Sequence, residues 1–354
     1  MRVLHIVPNM QVGGLETFIM NIYRHIDRNK IQFDFLEHYK EESAYDEEIQ
    51  KLGGRIYHFT VRNDGNVIKY LFDLNRFFKE HKEYQVIHCH MESLGGIIFI
   101  IAKMHGVHVR IGHAHTNSTS KTLKGFFKRN LSRLLKYTTT MNLACSEEAG
   151  RYLFGNKPYM IVPNAVDMKK FKYHEEDRKL LRKQYQLEND IVWGHIGRMD
   201  QAKNQIFLIR LLNEYRKVHP HTKLVLLGEG EMEALLKKEV KKLKLENHVL
   251  FLGVKKDVYR YYSMFDLFLF PSQFEGLGIV LIEAQLNGLI CLSSEFVPAL
   301  SKISHQVKYL PLDIARWIKE IKSLKDYSHN EKFTKRKEQY DILKITKKIE
   351  QIYQ

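Results

Sequence analysis

The chain has 354 residues, of which 44% are hydrophobic and 27% are charged, and its formal net charge at pH 7 is +15. This length favours two domains of roughly 150 residues, and the composition is typical of a soluble globular protein. The three cysteines, Cys89, Cys145 and Cys291, are far apart. They exclude a disulfide framework and a cysteine zinc site, and they indicate a reducing cytoplasm.

We expect neither an export signal nor a membrane-spanning helix. The run Met1–Pro8 is short and leads into Gly13 and Gly14, which is typical of a first buried strand. The longest apolar run, Leu94–Ala102, is about half of the ~20 residues that a spanning helix needs, so we expect a core helix there.

The excess of basic residues is compatible with three kinds of partner: nucleic acid, an anionic membrane and an anionic ligand. The sequence has no zinc finger, no RNA-binding signature and no clear helix-turn-helix, so we expect no nucleic-acid partner. A lysine-rich surface in contact with water explains part of the charge in any case.

Strands and helices alternate along the first part of the chain. Strands are predicted at Val3–Val7, Phe33–Leu36, Arg55–Phe59, Val86–His90, Val109–Ala114 and Asn142–Cys145. Helices are predicted at Glu16–His25, Tyr45–Leu52, Val67–Lys79, Leu94–Lys103 and Lys124–Tyr137. This alternation predicts a parallel sheet with right-handed crossovers and helices on both faces.

A second alternating series follows Val162–Asn164. Its predicted strands are Ile191–Ile196, Leu224–Leu227, Val249–Leu252, Leu267–Phe270 and Ile290–Leu292. Its predicted helices are Gln205–Val218, Glu231–Leu243, Val258–Ser263, Ile279–Leu286 and Ile314–Leu324, with a last helix at Ile342–Tyr353. The polar stretch Lys169–Leu187 is interpreted as the connection between two domains that divide near residue 168, and Phe296–Leu312 stays without an assignment. The fold class is therefore α/β, with two Rossmann-like doubly wound domains, and we expect a cleft between them that holds the ligand.

The most specific motif lies in Pro271–Ala284, where Glu275 and Glu283 are eight residues apart and Gly276 and Gly278 fall between them. A strand ends before this segment and a helix starts near residue 279, so free backbone N–H groups at a helix N-terminus face any anion bound there. Glu283, about one turn into that helix, is placed to reach a ribose diol. The alternative is a glycine turn with two surface glutamates.

In this setting the Glu-x7-Glu pattern resembles the donor site of the large retaining glycosyltransferase family (group 1, or family 4) that includes sucrose and glycogen synthases, mannosyltransferases and capsular polysaccharide transferases. The resemblance covers essentially the whole chain. It implies the GT-B fold, with an acceptor-side domain at 1–168, a nucleotide-sugar-binding domain at 169–335 and a C-terminal helix at 336–354 that returns to the first domain. It implies that Glu275 orients the sugar and that the diphosphate binds at Gly276, Leu277, Gly278 and Ile279.

A second motif, Gly197–Asn204, also follows a strand and opens a helix. It places Arg198 and Lys203 on one loop, and a diphosphate leaving group needs such cations because its negative charge grows as the glycosidic bond breaks. The family resemblance gives both residues this role, although Ala202 stands where relatives commonly have a residue such as glutamate. The alternative is a charged surface turn.

The loop Gly13–Glu16 follows the first strand but lacks the G-x-G-x-x-G fingerprint, which argues against a nicotinamide site. The resemblance implies that Gly13 and Gly14 lie against the donor phosphate. Glu16 is expected at the helix start, where it favours the helix dipole. By the same resemblance, Gly228 lies beside the donor site and Val254 belongs to the base pocket.

Two histidines, His113 and His115, lie two residues apart on one predicted strand and therefore point the same way. A His-x-His pair can bind a metal, but the sequence offers no matching third ligand, so no metal site is predicted. The resemblance implies that His115 contacts the donor sugar, with His113 as the alternative. A histidine pair used only in packing stays open.

The segment 121–136 mixes basic and bulky apolar residues at helical spacing, which suits an anionic membrane surface, although an ordinary helix packed on the sheet is the alternative. Together these features predict a cytoplasmic transferase that is peripheral on the inner membrane face. It moves a sugar from a nucleotide sugar, with UDP favoured, to a glycan or lipid-linked acceptor in capsule or exopolysaccharide synthesis. We expect no cofactor and no obligatory metal. The alternatives are a UDP-sugar 2-epimerase and a non-catalytic polysaccharide-assembly or nucleic-acid-binding protein.

Overall fold

The structure, a computed structural model, describes residues 1–115, 123–330 and 332–354, without the side chains of residues 62, 64 and 123–130. It divides into two compact units, one made of 1–166 with 339–354 and the other of 167–338. The sequence predicts domain boundaries after residue 168 and before residue 336, which lie two and three residues from the boundaries in the structure. Each unit is described by itself below.

The first unit is a seven-stranded parallel sheet in the order β3-β2-β1-β4-β5-β6-β7. Its strands are β1 Arg2–Ile6, β2 Gln32–Glu37, β3 Ile56–His58, β4 Val86–Cys89, β5 Val109–Ala114, β6 Met141–Ala144 and β7 Met160–Ile161. Its helices are α1 Gly14–His25, α2 Asp46–Lys51, α3 Val61–Asp64, α4 Val67–Glu80, α5 Glu92–Met104, α6 Leu123–Thr138 and α7 Glu147–Phe154. The strand order reverses between β1 and β4, which places their carboxyl ends at a topological switch point.

The second unit is a six-stranded parallel sheet in the order β10-β9-β8-β11-β12-β13. Its strands are β8 Ile191–Ile196, β9 Thr222–Leu227, β10 Val249–Phe251, β11 Leu267–Phe270, β12 Ile290–Ser294 and β13 Val307–Leu310. Its helices are α8 Glu175–Tyr185, α9 Gln205–Tyr215, α10 Glu233–Lys242, α11 Val258–Met264, α12 Ile279–Leu286 and α13 Ile314–Ser323, with 3-10 turns at Ala299–Ser301 and Lys335–Tyr340. Here the switch point lies between β8 and β11.

The last helix, α14 Ile342–Tyr353, belongs to the first unit. Its residues Ile345 and Ile349 are buried in the same core cluster as strands β1 and β2. The carboxylate of Glu350 accepts a hydrogen bond from the backbone N–H of Asp27 at 3.0 Å. Helix α14 therefore packs into the core that strands β1 and β2 form.

The interpretation of Lys169–Leu187 as a connection was wrong, because α8 lies within it. Only Leu181 and Arg182 of this helix are buried, so its sequence carries almost no apolar periodicity. The helix is held instead by Arg178 and Arg182, whose guanidinium groups each donate to Asp266 at 2.5 Å. Ion pairing and hydrogen bonds from these arginines, more than apolar burial, hold this helix to the end of α11 and to Asp266 before β11.

Four further strands and α-helices were not predicted, and one of them is the four-residue helix α3. Helix α7 begins after Ser146, whose hydroxyl accepts a hydrogen bond from the backbone N–H of Ala149 at 3.2 Å, a typical N-cap. Strand β7 has only two residues. Strand β13 lies in the stretch that the sequence left unassigned.

Among the helices that the structure describes, none has the length and apolar character needed to cross a membrane. Helix α5, which contains the longest apolar run, is a core helix of the first unit as predicted, with Ile98 and Phe99 fully buried. Its Gly95 and Gly96 allow a close approach of α6, because a Cβ at Gly96 would lie 2.6 Å from the Cβ of Leu134.

Candidate functional site

The loop from Pro271 to Gly278 connects β11 to α12 at the carboxyl end of the second sheet. Gly278 is the N-cap of α12 in a left-handed conformation (φ 77°), which an L side chain rarely adopts. A Cβ added to Gly276 would meet no atom within 4 Å, so the backbone is open there. The predicted segment Gly276, Leu277, Gly278 and Ile279 therefore runs from an exposed glycine to the N-terminus of α12, which favours an anion.

The loop after β8 approaches the same place, because β8 and β11 are neighbours in the sheet. The Nζ atom of Lys203 lies 2.6 Å from the Oε1 atom of Glu275, and these side chains are only 21% and 8% exposed. Asn204, in a left-handed conformation, hydrogen-bonds through its side chain to the carbonyl of Pro271 at 3.3 Å. Two residues that the sequence assigned to separate motifs thus form one partly buried ion pair.

Arg198, the other predicted cation, lies on the exposed part of the same loop. Its guanidinium is 3.2 Å from the carboxylate of Glu231, and both side chains are exposed. Solvent-exposed pairs of this kind contribute little to stability, so breaking it to bind an anion costs little. Arg198 is therefore available to a ligand, whereas Lys203 already has a partner.

The glycines of this region hold two backbone loops against each other. A Cβ at Gly228, whose φ is 121°, would lie 2.2 Å from the carbonyl oxygen of Gly197. The N–H of Gly228 donates to the carbonyl of Gly253 at 2.9 Å, and the neighbouring Val254 is 53% exposed. The predicted donor-site residues Gly197, Gly228 and Val254 thus belong to adjoining loops after β8, β9 and β10.

Glu283 lies in the second turn of α12 and is buried. The hydroxyl of Tyr262 donates to its Oε2 atom at 2.6 Å. Burial raises the pKa of this carboxyl to about 7, and the hydrogen bond from Tyr262 opposes the rise. A carboxyl placed at such a cost in an otherwise apolar helix is a functional-site candidate.

His195 is a residue of this site that sequence reasoning missed. It is fully buried near the end of β8, and its Nδ1 atom lies 2.9 Å from the carbonyl oxygen of Leu269. Its Nε2 atom lies 3.3 Å from the side-chain nitrogen of Gln205, which also donates to the carbonyl of Arg198 at 2.9 Å. Burial lowers the pKa of His195 to about 4, so a neutral imidazole links the two loops. A single histidine ahead of Gly197 was its only signal in the sequence.

In the first unit, Gly13 is the N-cap of α1 and Gly14 begins that helix. Glu16 lies in the first helical turn, as predicted, and its carboxylate bends back over Gly13, where an added Cβ would lie 2.3 Å from Oε2. Burial raises the pKa of Glu16. A Cβ at position 13 would therefore require this flexible side chain to move.

Five histidines, called the histidine cluster here, come together at the carboxyl ends of β1, β4 and β5. They are His5, His88, His90, His113 and His115. The cluster contains two hydrogen-bonded chains that start at one hydroxyl, that of Tyr353 on α14. Burial lowers the pKa of His5 and His115 to about 3 and those of the other three well below the usual value, so all five imidazoles are neutral at pH 7.

The first chain joins the hydroxyl of Tyr353 to Nδ1 of His88 at 2.6 Å, and then Nε2 of His88 to Nδ1 of His113 at 3.1 Å. The second joins the same hydroxyl to Nε2 of His5 at 3.4 Å and Nδ1 of His5 to Nε2 of His90 at 3.1 Å. It ends at His115, whose Nε2 atom lies 2.9 Å from Nδ1 of His90. His115, which the sequence singled out, is therefore fixed through its neighbours by the last helix.

The statement that the sequence offers no third ligand beside His113 and His115 was wrong. One ring nitrogen from each of His90, His113 and His115 lies within 4.8 Å of the other two, and the same holds for His5, His88 and His90. The missed signal was a second His-x-His pair at the end of the neighbouring strand β4. Because β4 and β5 pair in parallel, His90 comes to lie beside His113.

The predicted membrane-contact segment 121–136 lies largely outside the described residues or side chains. Residues 121 and 122 are outside them, and 123–130 are described only as part of helix α6. In the part that is described, Leu135 packs against α5, while Leu134 and Tyr137 are exposed.

Comparisons with known proteins place both units in the same enzyme class. Residues 177–340 match the family described as "Glycosyl transferases group 1", and residues 12–170 match "Glycosyltransferase Family 4". The Bacillus subtilis (strain 168) protein EpsF, named as a glycosyltransferase, is 34% identical over 308 residues, which cover 84% of this chain and 79% of that protein.

Two other relatives have more informative names. The Staphylococcus aureus capsular polysaccharide biosynthesis glycosyltransferase CapH is 24% identical over 99% of this chain and 98% of its own. An Escherichia coli UDP-Gal:alpha-D-GlcNAc-diphosphoundecaprenol alpha-1,3-galactosyltransferase is 27% identical over 64% of this chain and 62% of its own. Among solved structures, Anabaena HepE in complex with UDP and glucose matches with a TM-score of 0.80 at 18% identity, over 100% of this chain and 99% of that one.

Proposed function

The chain belongs to the group 1 glycosyltransferases of the GT-B fold, and on that premise we propose that it transfers a hexose-type sugar from a UDP-sugar, with retention, to a hydroxyl of a lipid-linked glycan. One observation carries the proposal: the loops after β8 and β11 bring Lys203 onto Glu275 beside the open N-terminus of α12. A cation, free backbone amides and a carboxylate at one switch point are what a sugar diphosphate requires.

In the second unit, Glu283 accepts the ribose hydroxyls, and the backbone around Val254 borders the base. Arg198, Lys203 and the amides of 276–279 bind the diphosphate, with the backbone of Gly197 and Gly228 beside them. Glu275 accepts hydroxyls of the sugar that is transferred. The support for these roles is the placement of these groups at the carboxyl edge of one sheet, Glu283 on helix α12 and the others on the loops or at the start of that helix.

In the first unit, we assign contact with the donor phosphate to the backbone at Gly13 and Gly14, and contact with the transferred sugar to His115. The cluster supports the second assignment, because His90 fixes the orientation of the His115 ring at 2.9 Å. A neutral imidazole held this way can accept from or donate to a sugar hydroxyl without adding charge.

In the reaction, the bond from the anomeric carbon to the diphosphate oxygen breaks, and the diphosphate leaves with the electron pair. The acceptor oxygen forms its bond on the same face of the sugar, and its proton passes to the leaving phosphate. Lys203 and Arg198 stabilise the charge that grows on that phosphate, so we propose that transfer has no obligatory divalent metal. Transfer that persists in EDTA, with an α-linked product from an α-linked donor, is the expected result.

We place the chain in capsule or exopolysaccharide synthesis, with an acceptor linked to a lipid diphosphate. The names of CapH and of the E. coli galactosyltransferase, which acts on a diphosphoundecaprenol substrate, support this placement. An acceptor of that kind is bound to a membrane, so an enzyme that meets it benefits from a basic surface. We assign that surface to the segment 121–136.

The membrane proposal predicts sedimentation with vesicles that contain anionic lipid and not with neutral ones. A variant with four basic residues replaced by glutamine should bind such vesicles far more weakly, since each contributes about 1 kcal/mol near an anionic surface. The residues are Lys121, Lys124, Lys128 and Arg129. A matched variant makes the same change of charge on α10. Its residues are Lys237, Lys238, Lys241 and Lys242. Equal loss in both variants would contradict a localised contact.

The donor proposal predicts that UDP, but not GDP or ADP, raises the midpoint of thermal unfolding in EDTA. A ligand at ~100 times its dissociation constant stabilises the folded state by roughly 2.7 kcal/mol. Arg198→Ala should reduce the shift, because this exposed side chain loses only a weak surface pair and the variant keeps its fold.

The control is Arg210→Ala, which breaks an ion pair of 2.9 Å with Glu239 on the surface of the same unit and should keep the full UDP shift. A shift with GDP alone would retain the transferase and change the donor. Absence of any nucleotide shift in the folded protein would overturn the donor site and favour a binding protein without transferase activity.

A further inference from the structure

The histidine cluster has two buried nitrogens that its hydrogen-bonded chains do not use. They are Nε2 of His113 and Nδ1 of His115, the outer ends of the two chains that start at Tyr353. Buried polar atoms are nearly always paired, because an unpaired one keeps the cost of leaving water. Both chains therefore end on a nitrogen without a hydrogen bond of normal geometry to the described residues, and the backbone of Val162 lies near His113.

The distribution of hydrogens explains what these ends offer. Each neutral imidazole carries one N–H, and the hydroxyl of Tyr353 carries one hydrogen. In one arrangement, the N–H of every histidine points along its chain toward Tyr353. Each contact in both chains then contains one hydrogen, and the oxygen of Tyr353 accepts from His88 and His5. Both outer nitrogens then present lone pairs. The cluster can thus offer two adjacent lone pairs without charging any ring.

A third nitrogen lies within reach of these two. His90, His113 and His115 each place one ring nitrogen within 4.8 Å of the others, and the rings of His113 and His115 are 4.1 Å apart. Zinc bound to imidazoles at 2.0–2.1 Å in a tetrahedron needs nitrogens about 3.4 Å apart, a change that small ring rotations supply. We propose that His90, His113 and His115 form a binding site for one transition-metal dication of the zinc type.

The chemistry of the site selects the class of ion. Three neutral imidazoles without a carboxylate favour Zn²⁺, Co²⁺, Ni²⁺ or Cu²⁺ over Mg²⁺ and Ca²⁺, which prefer oxygen. In the alternative triad of His5, His88 and His90, every ring nitrogen already has a hydrogen-bond partner, whereas in the proposed triad only His90 has to give up a hydrogen bond to bind the ion. His115 is the only member of the cluster that is not fully buried among the described residues, so it gives the ion its entry.

The site has a consequence that rests on the proposed function. An ion that holds His115 removes this ring from the contact with the transferred sugar. Zinc should therefore lower the rate of transfer, and a chelator should restore it. The site is thus inhibitory and distinct from any metal that assists departure of the diphosphate.

The test is direct titration of the untagged full-length chain, freed of metal by a chelator, with Zn²⁺ and with Co²⁺, whose visible absorption reports tetrahedral nitrogen ligands. We expect one ion per chain. His90→Gln should weaken binding at least about tenfold, and Tyr353→Phe, which removes the acceptor for both chains, about tenfold. The control is His221→Gln, an 83% exposed histidine of the second unit, which should bind as the unchanged chain does.

Far-UV circular dichroism and the midpoint of thermal unfolding measure the folding of every variant, and stabilisation by UDP reports the nucleotide-binding loops of the second unit independently. Loss of the UDP shift with zinc binding intact would overturn the donor site alone. Lack of saturable binding by the unchanged chain would overturn the metal site. So would folded His90→Gln and Tyr353→Phe variants that bind zinc as tightly as the control.

Discussion

Lys203→Ala should lower kcat by about 10²–10³, the usual loss when one preorganised donor to a developing negative charge is removed. The Nζ atom of Lys203 is held 2.6 Å from Glu275 at the edge of the site, so its charge is positioned before the diphosphate departs. Its greatest effect falls on the step in which charge moves to the leaving group. We expect the KM for the donor to change much less than kcat, measured with saturating acceptor.

A purely structural role for this ion pair makes a different prediction. Lys203→Ala leaves the carboxylate of Glu275, which is 8% exposed, without its cation, and this alone lowers stability. The double variant Lys203→Ala/Glu275→Gln removes both charges and should regain thermal stability without regaining activity. Recovery of activity in the double variant would contradict the catalytic role.

A matched control is available on α10. There Lys237 lies 2.6 Å from Glu233, the same separation, but the two side chains are 57% and 30% exposed. Lys237→Ala should leave both kcat and the midpoint of unfolding nearly unchanged, since exposed pairs within a helix contribute roughly 0.3–0.5 kcal/mol. The comparison distinguishes the general effect of removing a paired lysine from the specific effect of removing Lys203.

Glu283→Gln should weaken UDP binding and at the same time stabilise the protein at pH 8. The pKa of Glu283 is raised from its usual value to about 7 by burial, so the folded state holds this proton more tightly than the unfolded chain. The free energy of unfolding therefore falls as the pH rises from about 4.5 to about 7. This difference between the folded and unfolded pKa corresponds to a destabilisation of about 3 kcal/mol. The destabilisation is absent below pH 4.5 and present in full above pH 7.5.

Glutamine keeps an acceptor for the hydroxyl of Tyr262 but carries no charge, so the pH-dependent cost disappears in Glu283→Gln. The ribose hydroxyls lose a charged acceptor, which should weaken UDP binding about 10–100-fold, from the 1.5–3 kcal/mol of such a hydrogen bond. Calorimetric titration with UDP and thermal unfolding between pH 5 and pH 8 measure both effects. A variant that is destabilised at pH 8 would contradict the burial argument.

Glu37→Gln is the control for this experiment. Glu37 is a buried carboxyl of the first unit whose pKa is also raised by burial, and its Oε2 atom accepts a hydrogen bond from Ser43 at 2.8 Å. It should show the same direction of change in stability with pH and an unaltered affinity for UDP. The pair of variants thus distinguishes a buried carboxyl that serves the donor from one that does not.

The elements that the sequence predicts with their observed bounds are those whose apolar residues form a run or recur at the period of the element, with a clear break at each end. Strands β5, β8 and β11 and helices α12 and α14 are of this kind. Helix α8 was missed because charged residues hold it to Asp266 and its apolar face is too small to show a period. Local patterns report burial, and an element fixed by ion pairs lacks that signal.

The candidate site also has features that local sequence patterns predict and features that they miss. The family and the GT-B fold inferred from the motifs are confirmed by the comparisons. The residue roles remain predictions, and the pairing of Lys203 with Glu275 could not be inferred, because it depends on β8 and β11 being neighbours although they lie about 70 residues apart. The histidine cluster required the order β1-β4-β5, which no local pattern contains.

The position of α14 determines the order in which the chain can acquire its structure during synthesis. The core of the first unit takes Ile342, Ile345, Ile349 and Tyr353 from the last turns of the chain. A ribosome makes residues 167–338 before it makes these side chains, so the second unit can close its own core first. The first unit, although translated earlier, completes its core only after the second has emerged, so its apolar surface near β1 and α1 is not covered by α14 during that interval.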